Sequence, residues 1–219
     1  MLAVALVALV VFLAASDAGG RDDDADLVAA AARGDLESVR QLIGRGVDVD
    51  SRDAQGRTAV TAAVYADDLE LVQALIEAGA DVDIQDDMRT NALLATGETG
   101  HAEILRAVLR ADPDLTRTNR FGGTALIPAA DRGHVEVVRE LVLTAIDLDH
   151  VNDLGWTALL EAVILGDGGD AHQEIVRILV DAGADIEIAD REGVTPLDHA
   201  RHSGYAEITQ ILSRPGAAA

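Results

Sequence analysis

Six histidines and several short runs of acids are the side chains in this 219-residue chain that could do chemistry. His199 and His202 stand three apart beside Asp198, a spacing that brings two imidazoles to one helix face. Such a pair could hold a divalent metal and, with a bound water, support hydrolysis. A metal centre needs a third placed ligand, and none follows at ligand spacing, so the pair reads as surface residues and a metal-dependent hydrolase is the least favoured function. Asp22 to Asp24 with Asp26, and Asp167 with Asp170, are carboxylates of the kind that bind calcium. Neither group has the further spaced oxygens that calcium requires, and the first reads as a solvated segment entering a helix N-terminus. A Gly-rich phosphate loop, Gly-x-Ser-x-Gly and His-Glu-x-x-His are all absent from the sequence. The expected work is therefore recognition without a catalytic residue, a metal or a cofactor.

Charge and composition narrow the partner. The 17 basic residues are all Arg, and against 39 acids they leave a formal charge of −22. Nucleic acids and anionic membrane surfaces require cationic neutralisation, so both are excluded as partners, and a neutral or basic protein fits better. With 49% hydrophobic but 2% aromatic residues, the core must be built from Ala, Leu, Val and Ile. Cysteine is absent, which removes disulfides and thiolate metal sites.

The elements that would position a site repeat. Residues 122–141, GGTALIPAADRGHVEVVREL, and residues 155–179, GWTALLEAVILGDGGDAHQEIVRIL, are one phrase written twice, the second longer by five residues in the middle. Aligning Asp53, Asp86, Asn119, Asn152 and Asp190 gives steps of 33, 33, 33 and 38 residues. Thr58, Thr124, Thr157 and Thr195 stand where a side-chain oxygen caps a helix, each after a turn that glycine favours. The second helix of each unit carries an aliphatic stripe, as in Val135, Val138, Leu141 and Val142. One such unit cannot bury both faces, so stability comes from stacking, with polar outer faces on the end units. Asp35, Glu37, Arg40 and Gln41 at one end and His202, Glu207 and Gln210 at the other suit that role.

These phrases resemble the ankyrin repeat. Its T-P-L-H-x-A pattern is matched by TAVTAA (58–63), NALLAT (91–96), TALIPA (124–129), TALLEA (157–162) and TPLDHA (195–200). Its second phrase is matched by LVQALIEAGADVD (71–83) and IVRILVDAGADIE (175–187), and a degenerate first copy occupies 26–50. The resemblance implies an all-α solenoid of helix-turn-helix units with β-hairpin turns. Six repeats are expected at about 24–52, 53–85, 86–118, 119–151, 152–189 and 190–213, followed by a tail at 214–219. His101, His134 and His172 fall where the pattern has Gly-His and read as structural. This sequence departs from the pattern in lacking its T-P-L-H histidine, in placing Arg89 where a turn glycine is usual, and in placing Asp112-Pro113 where Gly-Ala is usual.

The resemblance also implies a concave face made by the hairpin tips and the first helices, through which a partner protein is bound. On it we place Arg57, Tyr65, Met88, Arg120, Phe121, Trp156 and Ile164. Three of the four aromatics after residue 18 map to that face, and Tyr, Trp and Arg dominate interface hot spots. The competing reading is that they shield hairpins and helix ends. The function expected is a non-enzymatic adaptor or inhibitor acting as a monomer, with a chaperone-like or protective factor of the cell envelope as the alternative. Residues 1–18 open with an apolar run and small-x-small sites, and read as an export signal or an uncleaved N-terminal anchor, with 19–23 as a linker. Export to a periplasmic or extracellular location follows. The five extra residues fall at Gly166 to Asp170, where three glycines oppose helix extension, so a protruding loop that could be shortened freely is expected there.

Overall fold

The computed structural model describes residues 17–213. Residues 1–16, most of the 1–18 segment expected to be an export signal or anchor, and the tail 214–219 lie outside the described residues. Twelve helices follow one another in pairs: α1 (Asp17–Ala32) with α2 (Leu36–Gly44), α3 (Ala59–Tyr65) with α4 (Leu69–Glu77), and α5 (Ala92–Thr99) with α6 (Ala102–Leu109). Then come α7 (Leu126–Asp131) with α8 (Val135–Leu141), α9 (Ala158–Ile164) with α10 (Asp170–Asp181), and α11 (Pro196–Ser203) with α12 (Ala206–Leu212). The first helices of the pairs stack in order as one layer, α1 to α3 to α5 to α7 to α9 to α11, and α4, α6, α8, α10 and α12 stack as a second layer. Residues 19–23, read from the sequence as a linker, are helical within α1.

Small side chains let the first layer pack closely. Ala59, Ala62, Ala63, Ala92, Ala95, Ala129, Ala130, Ala158 and Ala162 are all buried. The leucines and isoleucines of the second helices fill the space between the layers, and Leu71, Leu75, Leu105, Leu141 and Ile175 are fully enclosed. Of the stripe expected on α8, Val138 and Leu141 are buried, while Val135 and Val142 pack at its edge. Complete burial of one such side chain stabilises by about 1.5–3 kcal/mol, and here the burial is shared between neighbouring units.

The helix caps vary with local sequence. Thr157 and Thr195 accept from the backbone N–H three residues on, and Asn91 does the same in the third repeat. Thr58 instead bonds the Thr61 hydroxyl, and Thr124 caps nothing. Pro128 explains the second exception. In the other units the residue four beyond the cap donates to the cap carbonyl, as Glu161 does to Thr157 at 2.9 Å. Proline has no N–H to donate, so Ile127 bonds the Thr124 carbonyl in a tighter turn and its N–H is lost to the hydroxyl.

The hairpin turns are narrower than strands, and among the described residues the one β-bridge is Arg52 with Thr58. Each turn is organised by the residue that sets the 33-residue register. Asp53, Asp86, Asn119, Asn152 and Asp190 each donate a backbone N–H to the carbonyl four residues on, at 2.9–3.0 Å. Each also accepts, through its side-chain Oδ1, from the N–H groups two and four residues on, as Asn119 does from Phe121 at 2.9 Å and Gly123 at 3.0 Å. A second acidic series ties adjacent units: Asp50 accepts from the Asp81 N–H, Asp83 from Asp114 and Asp149 from Asp185. Much of the negative charge is thus spent on backbone donors that no strand partner satisfies.

The insertion is not the free loop expected. Residues 165–169 turn, and α10 starts at Asp170, so part of the added length lengthens the second helix to 12 residues against 7 in α8. Gly166 is buried, its carbonyl accepts from the Tyr205 hydroxyl at 2.9 Å, and His172 reaches the Asp131 carbonyl at 2.9 Å. A side-chain carbon at Gly168 would overlap the Tyr205 ring, and its φ of +69° is in the left-handed region. The three glycines let the segment fold back against the next repeat, which is why it does not protrude.

Candidate binding groove

Because the register is constant, equivalent positions in successive units form rows. Two residues beyond each aligned Asp or Asn is a hairpin tip: Gln55, Met88, Phe121, Leu154 and Glu192. The three central tips are large, apolar and exposed, at 45%, 52% and 49%, and the flanking tips are polar. Residues at or one before the ends of the first helices form a second row of Tyr65, Glu98, Asp131, Ile164 and His202. Between the two rows the floor is Ala62, Ala95, Pro128, Glu161 and His199.

A groove of about 550 Å³ lies between the central tips and the helix ends, lined by Arg57, Tyr65, Asp86, Met88, Glu98, Arg120, Phe121 and Arg132 among others. Tyr65 donates to a Glu98 carboxylate oxygen at 2.7 Å, and burial, reinforced by the Glu98 charge, holds the phenol well above its ordinary value. Arg120 stacks over the Phe121 ring at 4.6 Å and reaches the Met88 sulfur at 3.6 Å. Arg57 is tied to Asp53 at 3.0 Å. These side chains are held in place before any partner arrives, which lowers the entropy cost of binding.

Five of the seven residues placed by sequence on this face therefore line one groove: Arg57, Tyr65, Met88, Arg120 and Phe121. Trp156 and Ile164 line neither this groove nor its neighbour. Trp156 is half-buried, and its backbone N–H donates to Asn152 Oδ1 at 3.0 Å. Ile164 is in the helix-end row one unit beyond the groove and is half-buried.

The adjoining pocket of about 210 Å³ continues along the rows and contains Leu154, Ile127, Pro128, Asp131, Asn152 and Glu161, with Phe121, Glu98 and Arg132 shared. Leu154, which is not among the seven residues expected on the face, shares the register position of Met88 and Phe121, and that shared position is the signal for it. Glu161 was missed because it stands inside an otherwise apolar helix phrase. It is 6% exposed, and burial, followed by the Asp131 charge, pushes its carboxyl from 4.5 up to about 7 against the hydrogen bond from Asn152.

The histidines are structural ties. His134 reaches the Glu98 carbonyl at 3.2 Å, His172 the Asp131 carbonyl, and His101 the Asp67 carboxylate at 2.9 Å. His199 is bound to Asp190 at 2.6 Å, and His202 is exposed. Among the described residues no three His, Asp or Glu side chains are grouped to hold a metal ion, and no helix is long and apolar enough to cross a membrane.

The family model for ankyrin repeats (3 copies) matches residues 27–119, 93–190 and 146–218. The chain belongs to the ankyrin-repeat family. Its ankyrin solenoid is similar to the crystal structure of an ankyrin repeat domain from Acinetobacter baumannii AYE, with 47% identity and a TM-score of 0.81 over 85% of this chain and 95% of that one. It is also similar to the ankyrin repeat domain of Bcl-3, a member of the IkappaB protein family, with 26% identity and a TM-score of 0.78 over 89% and 86% of the two chains. A shorter match, 46% identical over 57 residues, is to the putative ankyrin repeat protein YahD of Escherichia coli (strain K12). That match spans 26% of this chain and 28% of YahD. Ankyrin repeats serve as protein-interaction modules.

Proposed function

We propose that this ankyrin solenoid is a non-enzymatic adaptor or inhibitor that captures one folded, neutral or basic partner protein in the groove between the hairpin tips and the first helices. The observation that carries the reading is the tip row. Met88, Phe121 and Leu154 are exposed together while Gln55 and Glu192 bound them, so the apolar contact is short and central with a polar rim. A chaperone-like factor would need a broader apolar surface, and within the tip row the apolar stretch is three residues long, which favours a single partner. The test is capture from an envelope extract by the chain and by a variant carrying Phe121→Ala and Leu154→Ala. A partner held stoichiometrically by the first and lost by the second, with helical circular dichroism unchanged, supports the reading. Equal capture by both overturns it.

The apolar run at residues 1–16 supports export as part of the same proposal, with the solenoid acting as a monomer outside the cytoplasm. A reporter fused after Ala18 that is active only in the cytoplasm would contradict export.

A further inference from the structure

Glu161 is an anomaly in the floor row, where the preceding units have Ala62, Ala95 and Pro128. The residue is 6% exposed, and one protein donor reaches its carboxyl: Asn152 Nδ2 bonds Oε1 at 2.7 Å. The second oxygen, Oε2, has no protein donor, and Glu161 lines the 210 Å³ pocket. A buried carboxylate with one unfilled oxygen carries a desolvation cost that a neutral floor residue would avoid.

The pocket supplies what an alkyl cation requires. Phe121, Ile127, Pro128 and Leu154 form apolar walls for a methylene stem. Glu161 and Asp131 also line it, and the charge of Asp131 acts on Glu161. Arg132, which lines the same pocket, donates to the Glu98 carbonyl at 2.9 Å, and His199, the floor residue of the packed α11, is held by Asp190. Neither side chain bonds Glu161.

We infer that this pocket is an anchor subsite for a lysine or arginine side chain of the partner, with the stem between Phe121 and Leu154 and the charged head on Glu161 and Asp131. It rests on the reading of the groove as a protein-binding surface and deepens it by naming what the partner presents there. The overall charge of −22 draws the same kind of partner. Burial and Asp131 hold the Glu161 carboxyl up to about 7, so an arriving cation converts it to carboxylate and binds less well as the pH falls below that value.

The subsite can be tested without the partner. The full chain, labelled with ¹⁵N, is titrated with n-butylammonium, n-propylguanidinium and the neutral n-propylurea, first at pH 7.5 and then at pH 5.5. Saturable amide shifts grouped at Phe121, Gly123 and Leu154 are expected with either cation, with Kd on the order of millimolar. They should weaken at least tenfold in Glu161→Gln and at pH 5.5, and n-propylurea should give none. Equal shifts with the urea, equal binding by the variant, or absence of saturable shifts with both cations overturns the subsite. A failed titration leaves partner capture untouched, whereas failure of capture with a successful titration removes the wider reading and keeps the subsite.

Discussion

Replacing Glu161 by Gln should stabilise the fold at alkaline pH and leave it nearly unchanged in acid. The glutamine keeps the length of the side chain and an oxygen for the Asn152 donor, so the packing of α9 is retained. What it removes is the cost of ionising a buried carboxyl whose folded-state value is raised from 4.5 to about 7. A raised carboxyl favours the protonated form in the fold. Its stability is therefore fully present below about 4.5 and is lost as pH rises through about 7. The shift is 7 − 4.5 = 2.5 units, which at 1.36 kcal/mol per unit gives about 3.4 kcal/mol as an upper bound. Glu161 lines an open pocket, where solvent screens the charge, so about 1–2 kcal/mol is expected. That corresponds to roughly 2–8 °C in melting temperature for a chain of this length. Urea unfolding followed at 222 nm for both proteins, at pH 5 and pH 8, measures it, and taking the difference between the proteins cancels the other acids. Equal stability of the two at pH 8, or a gain confined to pH 5, would refute the argument.

Other perturbations probe the backbone and the insertion. Arg89 holds a φ of +59° at the turn position where Gly56, Gly122, Gly155 and Gly193 stand. Arg89→Gly should relieve about 1–2 kcal/mol of left-handed strain and return part of it to unfolded-chain entropy, for a net gain of about 0.5–1 kcal/mol in urea unfolding. Gly168→Ala would meet the Tyr205 ring in a left-handed conformation, and a loss of about 2–4 kcal/mol is expected in the same assay. Unchanged unfolding of Gly168→Ala would return the segment to the free loop that composition alone suggested.

Reading order along the chain was enough to find the solenoid, because a 33-residue period with recurring caps and aliphatic stripes is local information repeated. The concave face that the resemblance implies pointed to Met88, Phe121 and Tyr65, and all three line the groove. Tertiary structure decided the rest. Trp156 shares its register position with Arg57, yet Arg57 lines the groove and Trp156 does not, because the groove ends one unit earlier and only the folded stack sets where it ends. The glycine-rich insertion reads as a loop until Tyr205, 39 residues away from Gly166, is seen to close over it. Glu161 gives no sign of its burial in the sequence, because burial is set by neighbouring repeats and not by the residues beside it in the chain. Periodicity determined the scaffold and its faces, and packing between units determined which side chains on those faces are ties and which are left open to a partner.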